Sequence, residues 1–303
     1  MHNLKTNFDK IFHICKQVLN DELIYDGNFY KYKNSPKMTD LEIVTLSLTA
    51  DSLCIDSENL LFSKLKTEYI NDFPNLVDRS NYNRRRKKLM PFIAQVSQSI
   101  STIIDPKQDR FILDSIPIPI CQNPRILRTK ICKDDAYVLP SRCYHASHKI
   151  YYYGFKLQLI ISKSGIPVSL GVTSANVHDV NILAHLNDMQ LSDCELIADK
   201  GYLSLGYQTS LFDEAKIKLI TPLRVNMDAS LSQWTPTYRY HRKRIETLFS
   251  QLCDQMLIKR NYAKSFKGLF TRICSKLSAV AVLQYINFQN KKSINKIKHA
   301  LAA

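Results

Sequence analysis

The sequence predicts an α/β protein in which a helical domain, residues 1–106, precedes a domain built on a mixed sheet flanked by helices, residues 107–303. Apolar residues recur with a helical period up to about residue 105, and beyond residue 110 short strand patterns alternate with helical ones. A chain of 303 residues with 45% hydrophobic composition is long enough to form two such cores.

The first domain should be all helical. Its clearest helix start is a capping box formed by Thr39 and Glu42. A later helix can be capped by Ser80 and should continue without a break to Ile103. Together with the helix predicted before it, this helix has the order of a helix-turn-helix, whose second helix enters a DNA groove. A purely structural helical cap is the alternative interpretation.

The charge of the chain indicates a polyanionic partner. The sequence has 42 Lys and Arg against 27 Asp and Glu, a net charge of +15. From Arg239 onward there are 14 basic residues and two acidic ones, Glu246 and Asp254. We interpret these cations as phosphate contacts rather than solvated helix faces. The residues predicted to contact DNA are Arg84, Arg85, Arg86, Lys87, Arg242, Lys243, Arg244, Lys259 and Arg260.

Strand and helix patterns alternate in the second domain. Apolar runs at 111–116, 151–161 and 166–173 predict three strands, and a Ser-Lys-Ser-Gly turn should join the last two as a hairpin. The elements predicted next are a helix opened by Asn176, a strand at Glu195–Ala198, a helix at Ser204–Ala215, a strand at 217–220 and a long helix from about Thr237. This order is typical of a sheet with helices packed on it.

The segment from Cys121 to Ile150 is expected to be a loop. Interleaved cations and tyrosines make it a candidate DNA clamp, because cations contact phosphates and aromatic rings stack on bases. The intervals between its Cys and His residues match no usual zinc site. These residues are Arg125, Arg128, Lys130, Lys133, Arg142 and Lys149, with Tyr144, Tyr151 and Tyr152, and Cys121, Cys132, Cys143, His145 and His148.

Three carboxylates are the candidate catalytic and metal-binding residues. Asp114 interrupts an apolar strand, where an unpaired charge is costly, and Asp199 ends a second strand just before Gly201, which should permit a sharp turn. If the two strands are neighbours, the aspartates repel unless a cation joins them, and Mg²⁺ or Mn²⁺ prefers such oxygen ligands. Glu246 borders the apolar stripe of the last helix, one turn after Arg242. An arginine partner for Asp114, a turn cap at Asp199 and an exposed Arg242–Glu246 pair are the structural alternatives.

In combination these residues resemble bacterial insertion-sequence transposases of the DDE class. The shared features are Asp114 on the first strand, Asp199 followed by Lys-Gly-Tyr, and Glu246 one turn after an arginine. The segments 242–252 and 260–268 are most similar to insertion-sequence family 982. Related families have a tyrosine and a lysine where this chain has Arg239 and Cys253, so the match departs at those two positions.

The resemblance implies a ribonuclease H-like fold with Asp114 and Asp199 on adjacent strands. It also implies two Mg²⁺ or Mn²⁺ ions, held by the two aspartates and Glu246, that support DNA cleavage and strand transfer. The implied partner is double-stranded DNA, namely the terminal inverted repeats and a target, bound by a homodimer or higher oligomer. His178, Lys200 and Tyr202 are candidate auxiliary residues; for His178, simple exposure is the alternative.

Two alternative functions stay open at this point. One is a metal-dependent nuclease without strand transfer, and the other is a non-catalytic DNA-binding protein derived from a transposase. The apolar stretch at 278–286 is shorter than the ~20 residues that cross a bilayer, and no signal peptide opens the chain. We therefore expect a cytoplasmic protein that does not use a membrane.

Overall fold

The computed structural model describes residues 3–146, 149–186, 191–224, 226–228 and 234–301. Contacts between residues divide the chain into a helical unit and a sheet unit. The helical unit comprises Met1–Ile104, Leu252–Ile258 and Lys267–Ala303, and the sheet unit comprises Asp105–Gln251 and Lys259–Phe266. The C-terminal segment thus groups with the N-terminal helices, unlike the predicted division into residues 1–106 and 107–303.

The helical unit is built from helices that are capped as their sequences suggest. The predicted capping box is confirmed, because the Thr39 hydroxyl accepts from the Glu42 amide at 3.1 Å and the Glu42 carboxylate accepts from the Thr39 amide at 2.6 Å. The helices are α1 Leu4–Val18, α2 Asp40–Ser52, α3 Glu58–Thr67, α4 Arg79–Lys88 and α5 Met90–Ile104, joined by most of α8, Phe266–Gln289. Short 3-10 turns lie at Asn20–Glu22 and Ile297–His299.

The helix predicted to run from Ser80 to Ile103 is in fact two helices. Asp78, not Ser80, caps α4, and its carboxylate accepts from the Asn81 amide at 2.8 Å. A new helix, α5, begins at Met90. Pro91 explains the break, because proline lacks the N–H that a continuing helix needs but is well accommodated in a first turn.

Helix α8 is long and apolar enough to cross a membrane, but the structure buries it. Of its most apolar 18-residue window, 94% lies inside the protein. A helix that is apolar all round and covered on all sides is typical of a core element. Its two buried cations, Arg272 and Lys276, are ion-paired with Asp51 and Asp56 of the same unit.

The sheet unit contains a mixed sheet in the part of the chain that the structure describes. Strands pair in the order β2-β3-β1-β5-β6, and β4 lies on the same edge of β3 as β2, further along that strand. Strand β1 is antiparallel to β3 and parallel to β5, and β5 is parallel to β6. The strands are β1 Arg110–Cys121, β2 Ser141–His145, β3 Ile150–Ser162, β4 Pro167–Ser174, β5 Glu195–Ala198 and β6 Lys218–Ile220.

Most predicted elements of this unit are confirmed. The β3–β4 hairpin turns at Gly165, whose φ of 92° suits glycine, and β5 has the predicted bounds. Helix α6, Leu205–Ala215, is capped by Ser204 as expected, and α7, Pro236–Asp254, begins one residue from its predicted start. A core on one face of the sheet joins β1, β3, β5 and β6 to α6.

Two predictions for the sheet unit are wrong. No α-helix begins at Asn176; instead a 3-10 helix spans Asp179–His185, because the Asp179 carboxylate bonds to side chains of β3 rather than capping a helix. The segment expected to be a loop contains strand β2, which extends the sheet along the outer part of β3. Alternating apolar and polar residues are absent from this short strand, so its pairing with β3 rather than its own pattern defines it.

Candidate functional site

Asp114 and Asp199 lie side by side at neighbouring strands of the sheet. The parallel pairing of β1 and β5 ends with Leu113 opposite Ala198, and the two aspartates are the next residues on each chain segment. Strand β1 continues past Asp114 in its ladder with β3, whereas β5 ends at Ala198, so Asp199 follows β5 at the point where its pairing with β1 stops. The structure therefore places both predicted aspartates on adjacent strands.

The carboxyl group of Asp114 is poorly compensated. Burial raises its pKa to about 6; the Ser115 amide and Arg242 act in the opposite direction, while Asp199 and Asp179 add to the increase. One carboxylate oxygen accepts from the Ser115 amide at 2.8 Å. A half-buried carboxylate near other carboxylates is a position where a cation binds favourably.

Asp199 is held at the start of a tight turn. Its carboxylate accepts from the Lys200 amide at 2.6 Å, and a 3-10 turn covers Lys200–Tyr202. A glycine is not needed at position 201, because Gly201 does not have a positive φ angle and an added Cβ would meet no atom within 4 Å. The expectation that Gly201 permits the turn is thus wrong. The buried residue of this turn is its last one, Tyr202.

Tyr202 anchors this turn to the centre of the sheet. Its side chain is buried, and its hydroxyl donates to the Gln158 side-chain oxygen at 2.6 Å. The Gln158 amide donates to Asp179 at 2.9 Å, and the Lys156 ammonium reaches the same oxygen at 3.1 Å. We call Tyr202, Gln158, Asp179 and Lys156 the anchor network. Sequence reasoning missed Lys156 and Gln158, whose signal is two polar residues at alternate positions of an otherwise apolar strand.

Glu246, the third predicted metal ligand, is not grouped with Asp114 and Asp199 in the structure. Ile245 and Leu248 are buried, as the apolar stripe of α7 predicts, whereas the Glu246 side chain is 56% exposed. Arg242 lies between the acids, with guanidinium nitrogens 3.1 Å from Asp199 and 3.8 Å from Glu246. Among the described residues, no three His, Cys, Asp or Glu side chains are grouped to hold a metal as they stand. Asp114, Asp199 and Arg242 are therefore the assembled part of the site.

The donor set nevertheless suits a hard divalent cation. Carboxylate oxygens are the ligands that Mg²⁺ and Mn²⁺ prefer, and they are supplied here by Asp114 on β1 and by Asp199 directly after the adjacent strand β5. Burial raises the pKa of Asp114 because its charged form is poorly solvated, and a bound cation would stabilise that charged form. Glu246 is exposed and tied by one long ion pair, so turning it toward the aspartates requires little desolvation.

The predicted DNA contacts differ in how much of each side chain is accessible. Arg85 pairs with Asp40 at 2.7 Å, and Arg86 pairs with Asp51 and Glu58 inside the helical unit. These two arginines are buried, because α4 turns them toward carboxylates of its own unit. Exposed or half-exposed members of the predicted set are Arg84, Lys87, Arg242, Lys243, Arg244, Lys259 and Arg260.

The candidate auxiliary residues His178, Lys200 and Tyr202 also differ in how exposed their side chains are. Tyr202 belongs to the anchor network, whereas Lys200 and His178 are exposed, and His178 precedes the 3-10 helix at Asp179 without a side-chain capping bond. Of the Cys and His residues considered for zinc, His148 lies outside the described residues.

Comparison with protein families agrees with this geometry. The family model described as the transposase DDE domain matches residues 106–266, more than half of the chain. The matched range begins just before β1 and includes Asp114, Asp199 and Glu246. No curated protein and no solved structure matches the chain. The chain therefore belongs to the transposase DDE domain family.

Proposed function

We propose that this protein is an insertion-sequence transposase, most similar to family 982, that binds the element's ends, cleaves DNA there and transfers the strands into a target. The observation that carries the proposal is the placement of Asp114 on β1 beside Asp199, the residue that follows the adjacent parallel strand β5, with Arg242 bound to Asp199. Membership of the transposase DDE domain family supports the same activity.

The residues of the site have distinct roles in this proposal. Asp114, Asp199 and Glu246 would hold two Mg²⁺ or Mn²⁺ ions, which would supply Lewis-acid activation of water and of the 3′-hydroxyl for attack on a phosphodiester. The pairing of β1 with β3 and β5 holds Asp114 in place, and the anchor network fixes the turn that follows Asp199. Arg242 is placed to neutralise charge that develops on the phosphate.

DNA is the proposed partner of both units. In the sheet unit, Lys243, Lys259 and Arg260 are exposed, so their side chains are accessible to DNA phosphates. In the helical unit, the helix-turn-helix-like role falls to α4, where Arg84 is exposed and Lys87 is half-buried. Binding of terminal inverted repeats and target DNA by a homodimer or higher oligomer is part of this proposal.

The test is a joining reaction with a matched control. The full chain is incubated with a labelled duplex that ends in a free 3′-hydroxyl, an intact plasmid and Mg²⁺ or Mn²⁺. Wild type should join the two DNAs, and Asp114→Asn should lower the rate by about 10⁴-fold or more. Asp109→Asn is the control, since Asp109 is 56% exposed and pairs with Lys163 on the surface; it should retain activity.

Each other outcome identifies a competing function. Cleavage of plasmid without joining would identify a nuclease that lacks strand transfer. Binding of DNA without any metal-dependent chemistry would identify a non-catalytic DNA-binding protein. Full activity of Asp114→Asn would rule out the carboxylate site.

A further inference from the structure

The β2–β3 hairpin displays aromatic rings on one outward face. Tyr144 of β2 is directly opposite Tyr151 of β3, and Arg142 is opposite Tyr153. Because side chains alternate along a strand, these four residues share one face of the hairpin. Tyr144 and Tyr151 are 48% and 51% exposed, and Arg142 is exposed as well. Large aromatic side chains that stay half open to water commonly mark binding surfaces.

Tyr144, Tyr151 and Arg142 form a cluster, which we call the tyrosine face, whereas Tyr153 is buried. The Tyr144 and Tyr151 ring centroids are 5.0 Å apart with the planes inclined by 53°, and the Arg142 guanidinium lies 4.4 Å from the Tyr151 centroid. A cross-strand aromatic pair helps to hold the hairpin together. That role uses the facing parts of the rings and leaves their outer parts free for a further planar group.

The charge around the tyrosine face is complementary to a nucleic acid. Residues 121–150 contain six Lys and Arg and two acids, Asp134 and Asp135. The Asp134 carboxylate accepts a hydrogen bond from the Phe266 amide, and the Asp135 carboxylate accepts from the amides of Tyr137 and Val138. Both acids are therefore hydrogen-bonded to backbone amides. The exposed cations of this segment are Arg125, Arg128, Lys130, Lys133, Arg142 and Lys149.

We propose that the tyrosine face binds unpaired DNA bases by stacking, while the surrounding cations bind the phosphates. Every base has a π-face, so this contact does not depend on sequence, and paired bases inside a duplex cannot make it. The inference rests on the proposed transposase function for the identity of the DNA. Tyr151 is eight residues along β3 from Leu159, which is opposite Asp114. At about 3.3 Å per residue this is about 26 Å along β3, the length of roughly eight base pairs of duplex DNA.

The experiment measures DNA binding by the full chain carrying Asp114→Asn, so that no cleavage occurs. The probes are a fluorescein-labelled 16-nucleotide oligothymidylate and a blunt duplex of equal length, followed by fluorescence anisotropy at several salt concentrations. Tyr144→Leu/Tyr151→Leu should bind the single strand at least about 30-fold more weakly, because two stacking contacts are lost. Its affinity for the duplex should change by less than about threefold. Tyr144→Phe/Tyr151→Phe keeps the rings and should bind both probes as the parent does.

Arg142→Ala separates stacking from charge. It should lower the dependence of log Kd on log salt by about one unit, whereas the Leu pair should leave that slope unchanged. Equal single-strand affinity of the Leu and Phe pairs, at matched thermal stability, would overturn the proposal. So would a Leu pair that changes the sedimentation of the free protein and not its DNA binding, since the face would then be a contact between copies. Failure of the joining reaction leaves these binding results unaffected, so the two proposals fail separately.

Discussion

Removing the Tyr202 hydroxyl should weaken both stability and catalysis. Tyr202→Phe keeps the ring in the core of the sheet unit and deletes the 2.6 Å hydrogen bond to Gln158. Burial and the neighbouring acids Asp179 and Asp114 raise the pKa of Tyr202 well above its usual range, so the native hydroxyl is protonated and donates this bond. The variant leaves the buried Gln158 oxygen without that donor.

The expected magnitude follows from the loss of one partner of a buried hydrogen bond. Leaving a buried acceptor unsatisfied costs about 1–3 kcal/mol in the free energy of unfolding. The turn that begins at Asp199 loses its attachment to β3, and a displacement of about 1 Å at a reacting group can lower the rate by up to ~10²-fold. We expect a lower kcat for strand joining and a higher Mg²⁺ concentration for half-maximal rate.

Urea unfolding and the joining assay measure these two effects on the same preparations. Tyr207→Phe is the matched control, since Tyr207 is half-buried against the same core and its hydroxyl has no hydrogen bond among the described residues; it should change stability by less than about 0.5 kcal/mol. A Tyr202→Phe protein that equals Tyr207→Phe in both assays would refute the anchoring role. A loss of stability with an unchanged metal requirement would limit Tyr202 to packing.

Other predictions concern the two cores. Lys276→Met should lower the free energy of unfolding by about 3–5 kcal/mol, because Lys276 is 3% exposed and pairs with both Asp51 and Asp56. Lys5→Met, which removes an exposed ion pair with Asp9, should lower it by less than about 0.5 kcal/mol in the same urea titration. Burial alone would raise the pKa of Asp51, but Lys276, Arg86 and the Ser275 hydroxyl outweigh it and lower the pKa below the ordinary 3.8. Stability from this group should therefore be complete above that value and be lost as pH falls through the lowered pKa; an unfolding free energy in Asp51→Asn with the same acid dependence as wild type would contradict this. Gly154→Ala should destabilise the sheet unit more than Gly206→Ala. An added Cβ at Gly154 would lie 2.2 Å from the Ile118 carbonyl oxygen, whereas at Gly206 it would meet no atom within 4 Å. Equal thermal unfolding midpoints of the two variants would contradict the clash at Gly154.

Local patterns in the sequence predicted the elements whose ends are set by nearby residues. The Thr39–Glu42 capping box, the cap at Ser204 and the strand at Glu195–Ala198 are all confirmed. In each case the deciding hydrogen bond or apolar run lies within a few residues. Asp114 was recognisable for the same reason, since a carboxylate inside an apolar strand is unusual in any context.

The sequence was less informative where a distant partner decides the structure. Arg85 and Arg86 belong to a basic run, yet they turn inward because carboxylates on other elements of the helical unit meet them. Asn176 does not open a helix, because Asp179 bonds to Lys156 and Gln158 of β3 instead. Strand β2 exists through its ladder with β3, which no local pattern displays.

By itself the sequence determined most of the strands and helices, the basic character and the three carboxylates that resemble a transposase site. Tertiary structure alone decided how those carboxylates meet. Pairing of β1 with β5 joins residues 85 positions apart, as the Arg110–Glu195 contact shows, and sets Asp114 beside Asp199. The tertiary structure also leaves Glu246 exposed and paired with Arg242, and the pairing of β2 with β3 brings Tyr144 against Tyr151. The physical reason is that helix caps and apolar periodicity act over a few residues, whereas strand register and side-chain burial depend on the whole sheet.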